Sequence, residues 1–222
     1  MKLSVNDNEK IFPINRVINK PFMIRKPTEF KNELKVNFIS STITEEREIA
    51  ILYGQLIDLN KENFVDESLK LFDNNIIALK QKATERDVVL KLLLKNQELP
   101  VLLSSLGEGI NRYIAILCAI WASKDGFLFV DKIENGIHYT NYDKLWELIL
   151  KVSKEAMCQL FISTHSKECI ESFNRVQKRL NDKDSYYFEM YRNIKRDNIE
   201  MRALDSNQLE YELTHQGRYR GE

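Results

Sequence analysis

Two short apolar runs with a helical segment between them constrain the fold of this 222-residue chain more than any other feature. The first run, GFLFV, ends at Asp131, and the second, QLFI, leads into the residues STHS at 163–166. The segment between them, 141–154, has the apolar spacing of an amphipathic helix. Two buried strands joined by such a helix are typical of a right-handed βαβ unit with parallel strands. The sequence therefore predicts an α/β fold with a partly parallel sheet and flanking helices.

Other periodic segments predict the elements around this unit. Thr42 and Glu45 have the spacing of a capping box, which predicts an amphipathic helix over 43–59. Further helices are predicted at 62–72, 110–121 and 206–213, and strands at 36–40, 76–81, 87–94, 186–192 and 200–204. Four large aromatic residues are expected in the core: Trp121, Phe127, Phe129 and Trp146.

Three regions are predicted along the chain. Residues 1–34 are polar and irregular and contain three of the four prolines, which indicates a loosely structured or edge-strand segment. Residues 35–97 are expected to form a helical subdomain with short strands, and residues 98–215 the main α/β core.

Composition excludes several classes of protein. The charges of the 33 basic and 33 acidic residues cancel, so strong electrostatic attraction of the whole molecule to nucleic acid is not expected. The composition still allows a local basic patch. The longest apolar run, 114–122, is about half of what a membrane-spanning helix needs. The three cysteines lack metal-ligand spacing, as is usual for reduced thiols. A cytoplasmic protein without a membrane segment is therefore expected.

Polar residues follow both apolar runs. Because parallel strands end at the same edge of a sheet, Asp131 and His165 are expected to line one crevice. Upstream, the sequence SSLGEG at 104–109 precedes the predicted helix 110–121. Glycines allow close approach of the backbone to a ligand, and the free N–H groups at a helix start favour an anion such as phosphate. The crevice is therefore a candidate phosphate site.

These three motifs in this order resemble the second half of an ABC-type nucleotide-binding ATPase of the bacterial AAA-type, OLD-like and SMC-related branch. SSLGEG is similar to the ABC signature, GFLFVDKIENGIH to the Walker B strand with its D-loop, and FISTHS to the strand that carries the switch histidine. The resemblance covers 100–170 directly. It implies the C-terminal part of a P-loop NTPase fold, with ATP and Mg²⁺ as cofactors.

The resemblance also implies roles for single residues. Asp131 would hold a Mg²⁺-bound water, and His165 would touch the γ-phosphate from its own subunit. In such proteins ATP lies between two subunits of a homo- or heterodimer, so the signature of one subunit completes the site of the other. The implied signature contacts are Ser105, Gly107 and Glu108, and the implied D-loop contacts at the interface are Asn135 and Gly136.

Two departures from the family pattern limit this assignment. Lys132 stands where the family usually has the glutamate that polarises the attacking water, and a charged lysine cannot accept a proton. None of the seven glycines precedes a lysine, so the chain contains no phosphate-binding loop of the form G-x-x-x-x-G-K-S/T. The sequence is therefore expected to be a C-terminal half: a gene fragment, a split subunit or a truncated chain.

The sequence is compatible with two functions. The first is an ATPase half that needs a P-loop-bearing partner or the missing N-terminal half. The second is a non-catalytic interaction subunit, a pseudo-ATPase, that keeps the dimer surface without turnover. Association with DNA is a weaker possibility, because the net charge of zero gives it little support.

Overall fold

The computed structural model of the protein describes the backbone of residues 2–5 and 8–11, and residues 35–42, 45–85, 88–194 and 196–215 in full. The chain divides into two compact units, Met1–Glu33 and Leu34–Glu222. In the first unit, β1 (Lys2–Val5) and β2 (Asn8–Ile11) form an antiparallel pair. The rest of the segment predicted to be irregular, 12–34, lies outside the described residues.

A three-stranded parallel sheet forms the centre of the second unit. Its strands are β3 (Val36–Ile39), β7 (Phe127–Val130) and β8 (Gln159–Ile162), in the order β3-β7-β8. The helix α4 (Tyr142–Glu155) connects β7 to β8. The predicted βαβ unit is thus confirmed, and with it the α/β fold with a partly parallel sheet.

A second sheet, which is antiparallel, follows the first two helices in sequence and packs against them. The helices α1 (Glu46–Asp58) and α2 (Glu62–Phe72) are followed by β4 (Ile76–Ala83), β5 (Val88–Leu94) and the short β6 (Val101–Leu102). The predicted capping box is wrong. Helix α1 begins at Glu46 with Glu45 at its N-cap, so Thr42 lies too far upstream and instead hydrogen-bonds Ser40.

The helix α3 (Glu108–Ala122) runs through the core. Every residue from Arg112 to Ala122 is buried, so the helix is enclosed on all sides and not on one face as its spacing indicated. After β8 come α5 (Lys167–Leu180), the hairpin of β9 (Tyr187–Asn193) and β10 (Asn198–Leu204), and α6 (Ser206–Thr214). Asp205 caps α6 with a full capping box through Gln208, which explains where this helix begins.

The two faces of the parallel sheet differ in burial. One face carries Ile39, Leu128 and Val130, which are buried in the main hydrophobic core. The opposite face, here called the aromatic face, lies outside that core. Its apolar members are Val36, Phe38, Phe127, Phe129 and Phe161. The expectation that Phe127 and Phe129 belong to the core is therefore wrong, whereas Trp121 and Trp146 are buried as predicted.

Candidate functional site

The first residue after β7, Asp131, lies at the carboxyl edge of the parallel sheet. Its backbone N–H continues the ladder by donating to the Ile39 carbonyl. Its carboxylate accepts a hydrogen bond from the Ser163 hydroxyl, with 2.6 Å between Ser163 Oγ and Asp131 Oδ1. The Lys132 N–H donates to the same hydroxyl oxygen at 2.9 Å. Ser163 follows β8, so the two strand ends meet as predicted.

Hydrogen bonding keeps the Asp131 carboxylate ionised. The bond from Ser163 is the largest cause that lowers the pKa of Asp131, with smaller contributions from the Ser41 hydroxyl and from the positive charges of Lys132 and Arg112. Partial desolvation acts in the opposite direction. The strand edge therefore presents a stable anionic oxygen pair, of which only Oδ1 is engaged by Ser163.

The buried side chain of Arg112 joins helix α3 to the ends of two strands. It is only 2% exposed. Its guanidinium donates to the carbonyls of Ser40, Asp131 and Lys132, the last two at 2.6 and 3.1 Å from Nη2. Burial lowers the pKa of Arg112, and the nearby carboxylate of Asp131 opposes this shift. The helix that begins at the signature-like loop is thus tied directly to the backbone of Asp131.

A tight turn after β7 carries the residues expected to form the D-loop. Lys132 adopts a left-handed backbone conformation with φ of 47°, which turns the chain away from the sheet direction. Asn135 Nδ2 donates to the Ser41 carbonyl at 2.8 Å and so fixes the turn against the end of β3. Gly136 has φ of 72°, and a side chain at Gly109 would come within 2.5 Å of its carbonyl oxygen. The D-loop and the signature-like loop therefore pack closely together.

Glu134 connects this turn to the histidine segment. Its Oε1 accepts the backbone N–H of His165 at 2.9 Å, and its Oε2 is buried without a partner among the described residues. Glu134 does not cap the following helix, because α4 begins only at Tyr142. The His165 side chain is exposed at the same edge of the sheet as Asp131. The hydrogen-bonded partner of Asp131 across the two strands is Ser163 and not His165.

The signature-like residues lie at the exposed start of α3. Ser105, Gly107 and Glu108 are all exposed, and Gly107 occupies the N-cap position of the helix. The Ser105 hydroxyl donates to the Leu102 carbonyl at 2.7 Å. A side chain at Gly107 would meet nothing within 4 Å. This loop is therefore open to a ligand or to another molecule.

The arrangement fits Mg²⁺ in part. Mg²⁺ is usually held by one or two carboxylates together with water and substrate phosphates, and Asp131 supplies one ionised carboxylate. In the residues that the structure describes, no group of three His, Cys, Asp or Glu side chains could hold a metal ion. Asp131 fits a Mg²⁺ ion that is shared with phosphate groups. The backbone cradle for a β-phosphate has no counterpart in the sequence.

Three residues of the site escaped the sequence analysis. Ser163 was passed over within the STHS motif, although a hydroxyl directly after a buried strand was the available signal. Arg112 is a single cation among apolar residues of one helix, and that contrast could have marked it. The bond between Glu134 and the His165 backbone joins residues 31 positions apart and left no local pattern.

Comparisons with known proteins agree with this architecture. The family model described as "AAA ATPase domain" matches residues 6–170, well over half of the chain. A Helicobacter pylori (strain ATCC 700392 / 26695) protein named "ATP/GTP phosphatase" is 31% identical over 118 residues, which are 52% of this chain. The match spans only 31% of that relative's length.

Solved structures of SMC ATPases share the fold. A chain from a study of the ATP-driven dimerisation and DNA-stimulated activation of SMC ATPases superimposes with a TM-score of 0.52 at 11% identity. The match covers 78% of this chain and 99% of that one. An Smc head domain from Pyrococcus yayanosii has a TM-score of 0.49 at 12% identity, with 71% of this chain and 29% of that one covered. The first comparison shows that the fold is that of an SMC ATPase head.

Proposed function

Because the chain belongs to the AAA ATPase domain family, we propose that it binds MgATP at an interface between two subunits and contributes one half of an ATPase site. The observation that carries this proposal is the ionised Asp131 carboxylate at the carboxyl edge of the parallel sheet, hydrogen-bonded to Ser163 of the neighbouring strand. Ligands of open α/β sheets bind at this edge.

Asp131 would hold Mg²⁺ through its carboxylate, and the exposed His165 would face the terminal phosphate. Bound Mg²⁺ neutralises charge on the phosphates. Within the chain, Ser163 keeps Asp131 ionised, and Glu134 fixes the backbone at His165 by accepting its N–H. Arg112 donates to backbone carbonyls that follow β3 and β7. These contacts give the edge a rigid anionic centre.

The exposed signature-like loop supports a second subunit. Ser105, Gly107 and Glu108 are exposed at the start of α3, where a phosphate can bind to a helix N-terminus. In the proposed dimer these groups bind the γ-phosphate of ATP held mainly by the partner. Gly136 lies against the same loop, and Asn135 is bonded to the Ser41 carbonyl after β3; both would line the interface.

The chain needs a P-loop from elsewhere for this function. The sequence contains no G-x-x-x-x-G-K-S/T motif, whose backbone N–H groups hold a β-phosphate and whose lysine binds the phosphates. A P-loop-bearing half would supply both, either as a separate subunit or as the N-terminal part of a longer chain. The cytoplasmic location expected from the sequence forms part of this proposal. In the described residues, no helix has the length and apolarity to cross a membrane.

Lys132 supports a second candidate function, that of a pseudo-ATPase subunit which binds without turnover. The lysine follows Asp131 in the left-handed conformation, where the family usually has its general base. An ammonium group at this place can pair with phosphate charge but cannot take a proton from water. DNA association, a property stated for the SMC ATPases in the comparison, remains a subordinate part of this candidate.

Equilibrium binding and hydrolysis of MgATP test both candidates. We expect no binding by the 222-residue chain alone and binding once a P-loop-bearing partner is added. Asp131→Asn should remove the Mg²⁺-dependent part of binding, whereas the matched surface change Asp184→Asn should leave it unchanged. Absence of nucleotide binding in the purified complex would refute the proposal.

Substitution at Lys132 separates the two candidates. If the wild-type complex hydrolyses ATP and Asp131→Asn abolishes the rate, the pseudo-ATPase candidate is wrong. If it only binds ATP and Lys132→Glu restores turnover, the site lacks only its base. Lys183→Glu, an exposed lysine after α5, is the matched control and should not change the rate.

A further inference from the structure

We propose that the outer face of the antiparallel sheet binds an acidic peptide segment of another protein, whose carboxylates pair with Lys80, Lys82 and Lys91 and whose apolar side chains contact Leu102. This surface, here called the lysine face, consists of the exposed and partly exposed residues that alternate with the core-facing residues along β4, β5 and β6. They are Lys80, Lys82, Val89, Lys91, Leu93 and Leu102. None of these side chains belongs to the nucleotide site, so the inference goes beyond the proposed function.

The register of the antiparallel sheet brings the three lysines together. β4 pairs with β5 so that Lys80 lies directly opposite Lys91, and Lys82 lies opposite Val89. β5 pairs with β6 so that Lys91 also lies opposite Leu102. Residues directly opposite in an antiparallel pair have Cβ atoms about 5 Å apart, and residues two apart along a strand are separated by about 7 Å. Three lysines and one leucine therefore occupy one small area of the sheet.

The lysine face is the accessible face of this sheet. The opposite face packs in the hydrophobic core, where Leu90 and Leu92 of β5 are fully buried. On the lysine face, Lys80 and Lys82 are exposed and Lys91 is partly exposed. In the part of the chain that the structure describes, no ion pair includes any of these three lysines. Their ammonium groups are therefore available to a ligand.

The stability of the fold does not explain the lysine at position 91. Like charges directly opposite on neighbouring strands destabilise a sheet. Lysines on an edge strand commonly prevent pairing with other chains, which accounts for Lys80 and Lys82 on β4. β5 is the central strand of the order β4-β5-β6, so Lys91 protects no edge. The charge of Lys80 acts on Asp66, but Oδ1 of that carboxylate accepts the Leu79 N–H at 2.8 Å. The positive charge of this face therefore favours an external anionic partner.

The neighbours of the lysines favour an acidic peptide over a nucleic acid. Nucleic-acid sites usually combine basic residues with aromatic side chains that stack on bases, or with arginines that bind phosphates through two hydrogen bonds. The lysine face contains neither type of residue, and its other members are Val89, Leu93 and Leu102. Leu102, which is 42% exposed, continues the cross-strand row of Lys80 and Lys91. A peptide that alternates acidic and apolar residues matches this row in both charge and apolar contact.

Fluorescence anisotropy with two labelled probes tests the choice of partner. The probes are a peptide of alternating Glu and Val, about ten residues long, and a single-stranded DNA oligonucleotide of the same net charge. We expect the full chain to bind the peptide more tightly than the DNA. The double variant Lys80→Glu/Lys91→Glu should weaken peptide binding by about tenfold or more, and the matched control Lys183→Glu by less than about threefold. Tighter binding of the DNA, equal peptide affinities of the wild type and the double variant, or no peptide binding would overturn the proposal.

Unfolding in urea supplies a second, independent measurement. Lys91→Thr removes the like-charge pair and introduces a residue that suits a strand, so the urea midpoint should rise by up to about 0.5 M. The same variant should weaken peptide binding by about threefold or more. Lys183→Thr should change neither quantity. A lysine that serves only the fold would give a lower midpoint on replacement, and this result in Lys91→Thr would overturn the proposal. Neither measurement involves nucleotide, so both outcomes are independent of the proposed ATPase function.

Discussion

Replacement of Arg112 should destabilise the protein far more than replacement of any exposed arginine. The guanidinium is 2% exposed and donates to the carbonyls of Ser40, Asp131 and Lys132. Arg112→Met keeps much of the side-chain volume but removes the guanidinium from all three carbonyls, of which the Lys132 carbonyl retains the backbone N–H of Asn135 as a donor. A buried carbonyl that loses its partner costs about 1–3 kcal/mol, and water can reach some of this strand edge. We therefore expect a loss of about 3–5 kcal/mol in the free energy of unfolding.

Urea unfolding measures this loss. With a slope of about 2 kcal/mol per molar urea, the midpoint should fall by about 2 M in Arg112→Met. Arg112→Lys retains the charge, but one ammonium group cannot reach all three carbonyls, so about half of the loss should remain. Arg192→Met serves as the control, because the Arg192 side chain is 73% exposed and, among the described residues, forms an ion pair with the exposed Asp197. That variant should stay within about 0.5 kcal/mol of the wild type.

Two results would refute this reasoning. A loss below about 1 kcal/mol in Arg112→Met would mean that the three carbonyls find water without cost. Equal losses in Arg112→Met and Arg112→Lys would mean that the geometry of the guanidinium fork contributes nothing. In either case Arg112 would not be the link between the signature helix and Asp131.

Two further predictions concern the packing and the charge of the fold. Gly109→Ala should lower the free energy of unfolding by about 1–3 kcal/mol, since its Cβ would lie 2.5 Å from the Gly136 carbonyl oxygen. Gly54→Ala, whose Cβ would meet nothing within 4 Å, should stabilise α1 by about 0.5–1 kcal/mol. Equal shifts of the urea midpoint in the two variants would contradict the close approach at Gly109. Arg175 donates two hydrogen bonds to the Asp143 carboxylate and lowers its pKa. The stabilisation that this pair gives the folded state is therefore fully present above about pH 4, the pKa of a free aspartate, and is lost as the pH falls through the lowered pKa of Asp143. Asp143→Asn should therefore cost about 1–2 kcal/mol at pH 7, and the difference from wild type should vanish in acid; a constant difference in a series of melts would contradict the assignment.

Local periodicity was sufficient for most of the elements and failed where tertiary contacts decide. The βαβ unit followed from apolar runs and a helix of the right length, and the structure confirms it. The predicted start of α1 was wrong because Thr42 hydrogen-bonds Ser40 instead of capping a helix. The helix begins at Glu46, three residues after the predicted start at 43. The local apolar pattern was sufficient to predict the fold class. The ends of helices also depend on which hydrogen-bond partner a polar side chain takes.

In the candidate site, too, some residues could be predicted from the sequence and others could not. Asp131 was predicted because polar residues just beyond the carboxyl ends of parallel strands line the ligand crevice, and because the run that it ends resembles a Walker B strand. Arg112, by contrast, has a role only once α3 lies across the ends of β3 and β7, and no spacing in the sequence records that crossing. The same holds for Glu134, whose partner is the backbone of His165 and carries no side-chain signature. Side chains that bind backbone groups distant in the sequence form no recognisable sequence motif, because any residue can supply the backbone partner.

Phe127 and Phe129, whose burial was wrongly predicted, are informative about the sheet. GFLFV is apolar at every position, and a strand that is apolar on both sides requires cover on both faces. That requirement predicted a core position for Phe127 and Phe129, yet the described residues cover only the face of Leu128 and Val130. Phe127 and Phe129 are half-buried on the second face, and a contiguous apolar patch at a protein surface marks a site of interaction with another molecule. The composition of β7 therefore points to a covering element that the described part of the chain does not supply.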